Sequence, residues 1–134
     1  MNSGSGDVHV VAGVLVEGDR VLLAHRSPAR RWYPDVWDLP GGHIEPHETS
    51  RAALERELRE ELDVVVVMAE ATDRIQFGDV VLDVWTVSEW TGVPVNRAPD
   101  EHDEVRWFTA RDLPVATLAN PELESMLRNA LAER

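Results

Sequence analysis

Three glutamates, Glu57, Glu60 and Glu61, crowd the run Arg56-Glu57-Leu58-Arg59-Glu60-Glu61, and a glycine pair, Gly41-Gly42, stands upstream of them. Clustered glutamates are hard oxygen ligands for a cation such as magnesium, and glycines let a backbone come close to a phosphate. Together they point to chemistry on phosphate anhydrides. On a helix the three carboxylates share one arc, at the edge of an apolar stripe made by Leu54, Leu58 and Leu62. Like charges at i,i+4 repel, and these occupy the last turns, where the helix dipole is already negative. A divalent cation reverses the sign of both effects. Taken alone, the run also reads as a solvated helix laced by Arg51–Glu55, Glu55–Arg59 and Arg56–Glu60 pairs at i,i+4 spacing.

The elements that must hold these residues are legible around them. Residues 8–16 (VHVVAGVLV) are rich in β-branched side chains and predict a strand. Gly18-Asp19 is a hairpin signal, and residues 20–25 predict the returning strand. A polar loop covers 27–33, and a short strand at 36–39 ends in Pro40-Gly41-Gly42. Thr49 or Ser50 can cap a helix running to about Leu62. Strand-like sequence follows over 64–77, with a break expected near 69–72, and Gly78-Asp79 turns the chain into a long strand at 80–90. A loop is expected over 91–103, a short strand over 105–109, and a second helix over 121–132. Asn120 is placed to cap that helix, with Pro121 at its first position. The order is mixed α/β without the regular alternation of a Rossmann unit.

Composition narrows the class. A chain of 134 residues suits one domain, read as a leader at 1–7 and a single domain at 8–134. It contains no cysteine, which removes disulfides and thiolate metal sites and fits a cytoplasmic setting. No apolar run reaches the roughly 18 residues of a membrane span. The net charge of −12 disfavours nucleic-acid backbone, and would repel a polyphosphate too unless divalent cations accompany it.

The spacing from Gly42 through Glu48, Arg56-Glu57-Leu58 and Glu60-Glu61 to Val64 resembles the Nudix box, the signature of the Nudix hydrolases. Asp63 and His47 stand where that signature usually has glycine. Asp tolerates the left-handed turn that ends a helix better than most residues do. The resemblance implies an α/β/α sandwich with a mixed central sheet. It also implies hydrolysis of a nucleoside diphosphate linked to another group, with Mg2+ as cofactor and Mn2+ as a possible substitute. By this resemblance Gly41, Glu57, Glu60 and Glu61 hold the metal, and Glu101 adds a carboxylate, with Glu104 as alternate. Glu57 serves as base toward water, Arg56 orients the glutamates, and Glu48 anchors loop to helix.

The likeness extends over most of 8–131 and is nearest the MutT-like branch, which clears oxidised nucleotides. That branch implies Arg26, Leu39, Phe77 and Asn120 at the substrate, with Asn120 reading the edge of 8-oxoguanine in 8-oxo-dGTP. Asn120 as a helix cap needs no ligand, and one residue can serve both roles. Trp32 and Tyr33 could stack on a base or form a lid. A pyrimidine triphosphate, a sugar nucleotide or a dinucleoside polyphosphate is the alternative substrate, and a non-catalytic nucleotide sensor the alternative class. A monomer or a homodimer is compatible with all of these.

Overall fold

The computed structural model describes residues 8–132; the leader at 1–7 lies outside the described residues. Seven strands and two helices form the domain. The strands are β1 (Val8–Glu17), β2 (Arg20–Arg26), β3 (Trp37–Asp38), β4 (Gly41–His43), β5 (Val65–Phe77), β6 (Val80–Thr91) and β7 (His102–Thr109). The helices are α1 (Ser50–Leu62) and α2 (Glu122–Ala132). The sheet runs β3-β2-β1-β6-β5, with β4 joined to β1 and β7 to β2. β1 and β6 are parallel over eight paired residues while the other pairings between strands are antiparallel, so the sheet is mixed.

Period-two alternation along β1 divides the interior in two. Val11 and Leu15 pack with Ala53, Leu54, Leu58 and Leu62 beneath α1. Ala12, Val14 and Val16 pack with Leu123, Met126 and Leu127 beneath α2. The sheet is therefore sandwiched between helices, as the resemblance implies. Burying Leu54, Leu58 and Leu62, each at most 1% exposed, fixes the rotation of α1 and contributes roughly 1.5–3 kcal/mol per side chain. That rotation places the glutamates.

Three expectations need correction. The strand over 64–77 is not broken at 69–72; β5 runs through, and the polar stretch is taken up by irregularities of register between Val66 and Asp73. Gly41–His43 is itself a strand on β1, where the expected strand at 36–39 was to end. β7 begins at His102 and takes the end of the expected loop. The paired partners on β2 settle this last point, which local sequence does not show. Among the described residues no helix is long and apolar enough to cross a membrane.

Candidate active site

Two left-handed residues frame the helix that carries the glutamates. His47 (φ 68) turns the chain into the Thr49 cap, whose hydroxyl accepts the Ala52 N–H at 3.0 Å. Asp63 (φ 60, ψ 41) ends the helix, its N–H reaching the Arg59 carbonyl at 3.1 Å. Both positions thus take the conformation glycine takes freely, at a cost of about 1 kcal/mol each. The Asp63 carboxylate meets Arg97 at 2.8 Å. The loop after β6 closes the C-terminal end of α1, with the N–H groups of Val95 and Arg97 on the Leu62 and Glu61 carbonyls.

Arg56 organises the N-terminal side of the site. Its guanidinium donates to both oxygens of Glu48 at 2.8 and 2.9 Å, to Glu57 at 2.9 Å and to the His43 carbonyl at 3.0 Å. Glu48 also accepts the Glu45 N–H, tying the loop to the helix. The bidentate pairing with Arg56 holds the Glu48 carboxyl down to about 2. The Arg56 guanidinium is stabilised as a cation in turn, chiefly by Glu48.

The glutamates do not share one environment. Glu57 lies against Gly42 so closely that a Cβ there would stand 2.5 Å from its carboxyl carbon. Glu61 is 2% exposed, and its Oε1 accepts the Gly41 N–H at 3.3 Å. When ionised, it leaves Oε2 buried without a donor; when protonated, the carboxyl hydrogen-bonds Glu57. Burial first, then that hydrogen bond and repulsion from Glu57 and Glu101, drive the Glu61 carboxyl far above the usual carboxylate range. Glu60 stands apart: its side chain is exposed and reaches Arg56 only at 3.4 Å.

Glu101 and Glu104 are also separated. Glu101 lies close enough to raise Glu61 and is paired with Arg30 at 3.5 Å. Glu104 is turned to Arg106 at 2.6 Å, over the rings of Trp37 and Phe108. The expected set of four carboxylates therefore comes together only in part. Among the described residues no three acidic or histidine side chains already close on one point. The donor chemistry nevertheless suits a divalent cation: a buried carboxylate oxygen lacks a partner, a second carboxylate adjoins it, and Gly42 leaves room beside that second one.

On the opposite side of the sheet, Leu39 and Leu118 are buried in the α2 cluster, and Phe77 packs against it. A bridge between Trp37 and Leu118, with the Ala119 N–H on the Trp37 carbonyl at 2.8 Å, brings the Asn120 segment beside Leu39. The Asn120 side-chain oxygen accepts the Glu122 N–H at 2.9 Å, so it caps α2. Arg26 stands at the end of β2. Its guanidinium is held by the carbonyls of Trp32 and Tyr33, at 2.7 to 3.1 Å, and it shapes the loop rather than standing free. Trp32 and Tyr33 are both exposed.

Two features escaped the sequence. Asp38, next to Leu39, has its carboxyl raised to about 6 by burial, an effect opposed by the Leu39 N–H and by Arg26. His102 is buried and lowered to about 4, by burial and then by Arg30 and Arg26. Neither has a local signal, since each depends on a neighbour distant in the chain. An open hollow lined by Ser50, Thr72, Arg74, Asp83 and Trp85 lies at the start of α1, about 10 Å along the helix axis from Glu57. No catalytic carboxylate lines it.

Comparison with known proteins agrees with this fold. A family model described as NUDIX domain matches residues 7–130. The CTP pyrophosphohydrolase of Escherichia coli strain K12 is 32% identical over 127 residues, covering 90% of this chain and 91% of its own length. An 8-oxo-dGTP diphosphatase of Proteus vulgaris is 31% identical over 87 residues, 62% of this chain and 78% of its own. The crystal structure of a MutT NUDIX hydrolase from Burkholderia pseudomallei has a TM-score of 0.77 at 27% identity, covering 94% of this chain and 96% of that one.

Proposed function

The chain belongs to the NUDIX domain family and is a pyrophosphohydrolase; from that premise we propose that it hydrolyses a nucleoside triphosphate to the monophosphate and pyrophosphate, with Mg2+ as cofactor and an oxidised purine such as 8-oxo-dGTP as preferred substrate. Nudix hydrolases act on nucleotides with a divalent cation. The observation that carries the catalytic part is the Glu57/Glu61 pair packed on Gly41-Gly42, one carboxyl of which is buried without a donor when ionised.

Glu57, Glu61 and the Gly41 carbonyl would hold the cation, with Glu60 and Glu101 turning in from the rim. A bound divalent cation neutralises charge on the departing pyrophosphate and lowers the pKa of water. The protein's own residues do the rest. Arg56 fixes one Glu57 oxygen at 2.9 Å, leaving the other to take the proton of the attacking water. Glu48 holds Arg56 in that position. Leu39, in the core cluster against which Phe77 packs, would floor a base pocket, and the Asn120 amide would offer donor and acceptor to a purine edge.

A second substrate reading, a pyrimidine triphosphate, is favoured by the relative named for CTP, which matches nearly the whole chain. Measuring kcat/KM for 8-oxo-dGTP, dGTP and CTP with Mg2+ separates the two. Equal values for 8-oxo-dGTP and dGTP would overturn the sanitising role. Glu57→Gln tests catalysis, and an unaltered rate of pyrophosphate release refutes the assignment of the base.

A further inference from the structure

The cations around the site are unequally engaged. Arg56 has its donors on Glu48, Glu57 and the His43 carbonyl, and Arg26 has its own on the carbonyls of Trp32 and Tyr33. Arg30 differs from both. Its Nη1 is buried and makes no hydrogen bond, standing 3.5 Å from Glu101 Oε1 in an ion pair without hydrogen-bond geometry. A guanidinium N–H buried without an acceptor is costly, and its planar fork is shaped for phosphate oxygens.

The position is built rather than accidental. The Arg30 N–H closes a turn on the Ser27 carbonyl at 3.0 Å, and the Ala29 N–H reaches the Ser27 hydroxyl at 3.2 Å. The Ser27 N–H in turn donates to the Glu101 carbonyl at 3.0 Å. This turn is thereby fastened to the segment whose carboxylate acts on Glu61.

We propose that Arg30 is a polyphosphate-binding residue, whose guanidinium exchanges Glu101 for oxygens of the substrate's terminal phosphates and so frees Glu101 to face the site. This rests on the triphosphate reading above. The terminal phosphates are specified because Arg30 borders the carboxylate side, whereas Leu39, Leu118 and Asn120 lie together at the other. Arg30 and Glu101 offset each other's charge across 3.5 Å.

The test uses the full chain with Mg2+, a non-hydrolysable α,β-imido analogue of dGTP, and dGMP, each titrated calorimetrically. Arg30→Gln is expected to weaken the analogue by about tenfold or more, the loss of a charge-assisted phosphate contact. Affinity for dGMP should change by less than about twofold, because the monophosphate lacks the groups Arg30 holds. Arg30→Lys, which keeps the charge and loses the fork, should fall between wild type and Arg30→Gln. In turnover, KM for the triphosphate should rise more than kcat falls.

Equal weakening of triphosphate and monophosphate would overturn the proposal, since a loop staple predicts that result. So would no weakening of either. Should Arg30→Gln unfold, Arg30→Lys is judged in its place, and a lysine variant identical to wild type refutes the inference. A wild-type protein that hydrolyses no triphosphate overturns the proposed function instead, and the analogue titration then judges Arg30 separately.

Discussion

Replacing Glu61 by glutamine should make the cation-free protein more stable at neutral pH, even though it removes a residue of the proposed metal site. Glu61 is 2% exposed and its carboxyl is raised far above its ordinary value, first by burial and then by Glu57. The sign follows from linkage. A raised folded-state pKa contributes stability below the unfolded value of about 4.5 and loses it as pH rises toward the folded value. Each pH unit in that window costs about 1.4 kcal/mol, so going from about pH 5 to about pH 7.5 removes roughly 3 kcal/mol from wild type. Glutamine keeps the shape, the donor and the acceptor, and does not titrate. Urea unfolding in a chelator at both pH values reads the difference directly. Wild type should lose roughly 3 kcal/mol more than Glu61→Gln across the interval. Adding Mg2+ at the higher pH should restore wild type and leave the variant unchanged. Parallel pH dependences in the two proteins would refute the reasoning, because Glu61 would then be ionised in the folded chain.

The glycine pair should separate fold from function. A Cβ on Gly41 runs into the Val11 carbonyl, so Gly41→Ala should abolish folding by circular dichroism, whereas a Cβ on Gly42 meets the movable Glu57 carboxylate, so Gly42→Ala should fold and lose pyrophosphate release. Asn120→Ala removes the α2 cap and should cost about 1 kcal/mol in urea unfolding; a narrower preference for 8-oxo-dGTP over dGTP in the same variant would place the amide at the base as well. Asp63→Gly relieves the left-handed strain and loses only an exposed ion pair with Arg97, so it should stabilise by roughly 0.5–1 kcal/mol, and a loss of stability would show that the ion pair outweighs the strain.

Much of this site is legible in the sequence because it is local. The helix over 50–62, its Thr49 cap and the proximity of Glu57 to Glu61 all follow from spacing along one element. So does the left-handed Asp63, since the end of a helix imposes that conformation on whichever residue stands there. What spacing does not show is depth. Glu60 and Glu61 are adjacent in sequence, yet one is exposed and the other buried, because a 100° step across the edge of the Leu54/Leu58/Leu62 stripe moves a side chain from water into the core. The strand at Gly41–His43 and the start of β7 at His102 depend on partners in β1 and β2. The loop that folds back over Arg26 has no periodicity to reveal its path.

The local charge balance offsets part of the repulsion expected in a chain of net charge −12. Four carboxylates lie within ion-pair distance of Arg56, burial pushes the Glu61 carboxyl toward its neutral form, and Glu101 takes Arg30. Each arrangement offsets repulsion that would otherwise open the end of α1. On the proposed reading two of them also compete with the activity, since a cation held by Glu61 and Glu101 would displace any proton on Glu61 and draw Glu101 from Arg30. The first competition would make cation affinity rise with pH, with a proton released on binding. The second links cation and polyphosphate: the guanidinium that Glu101 gives up is left beside the anion that arrives with the metal. Binding of either then favours the other, because each removes the partner that the other has to displace.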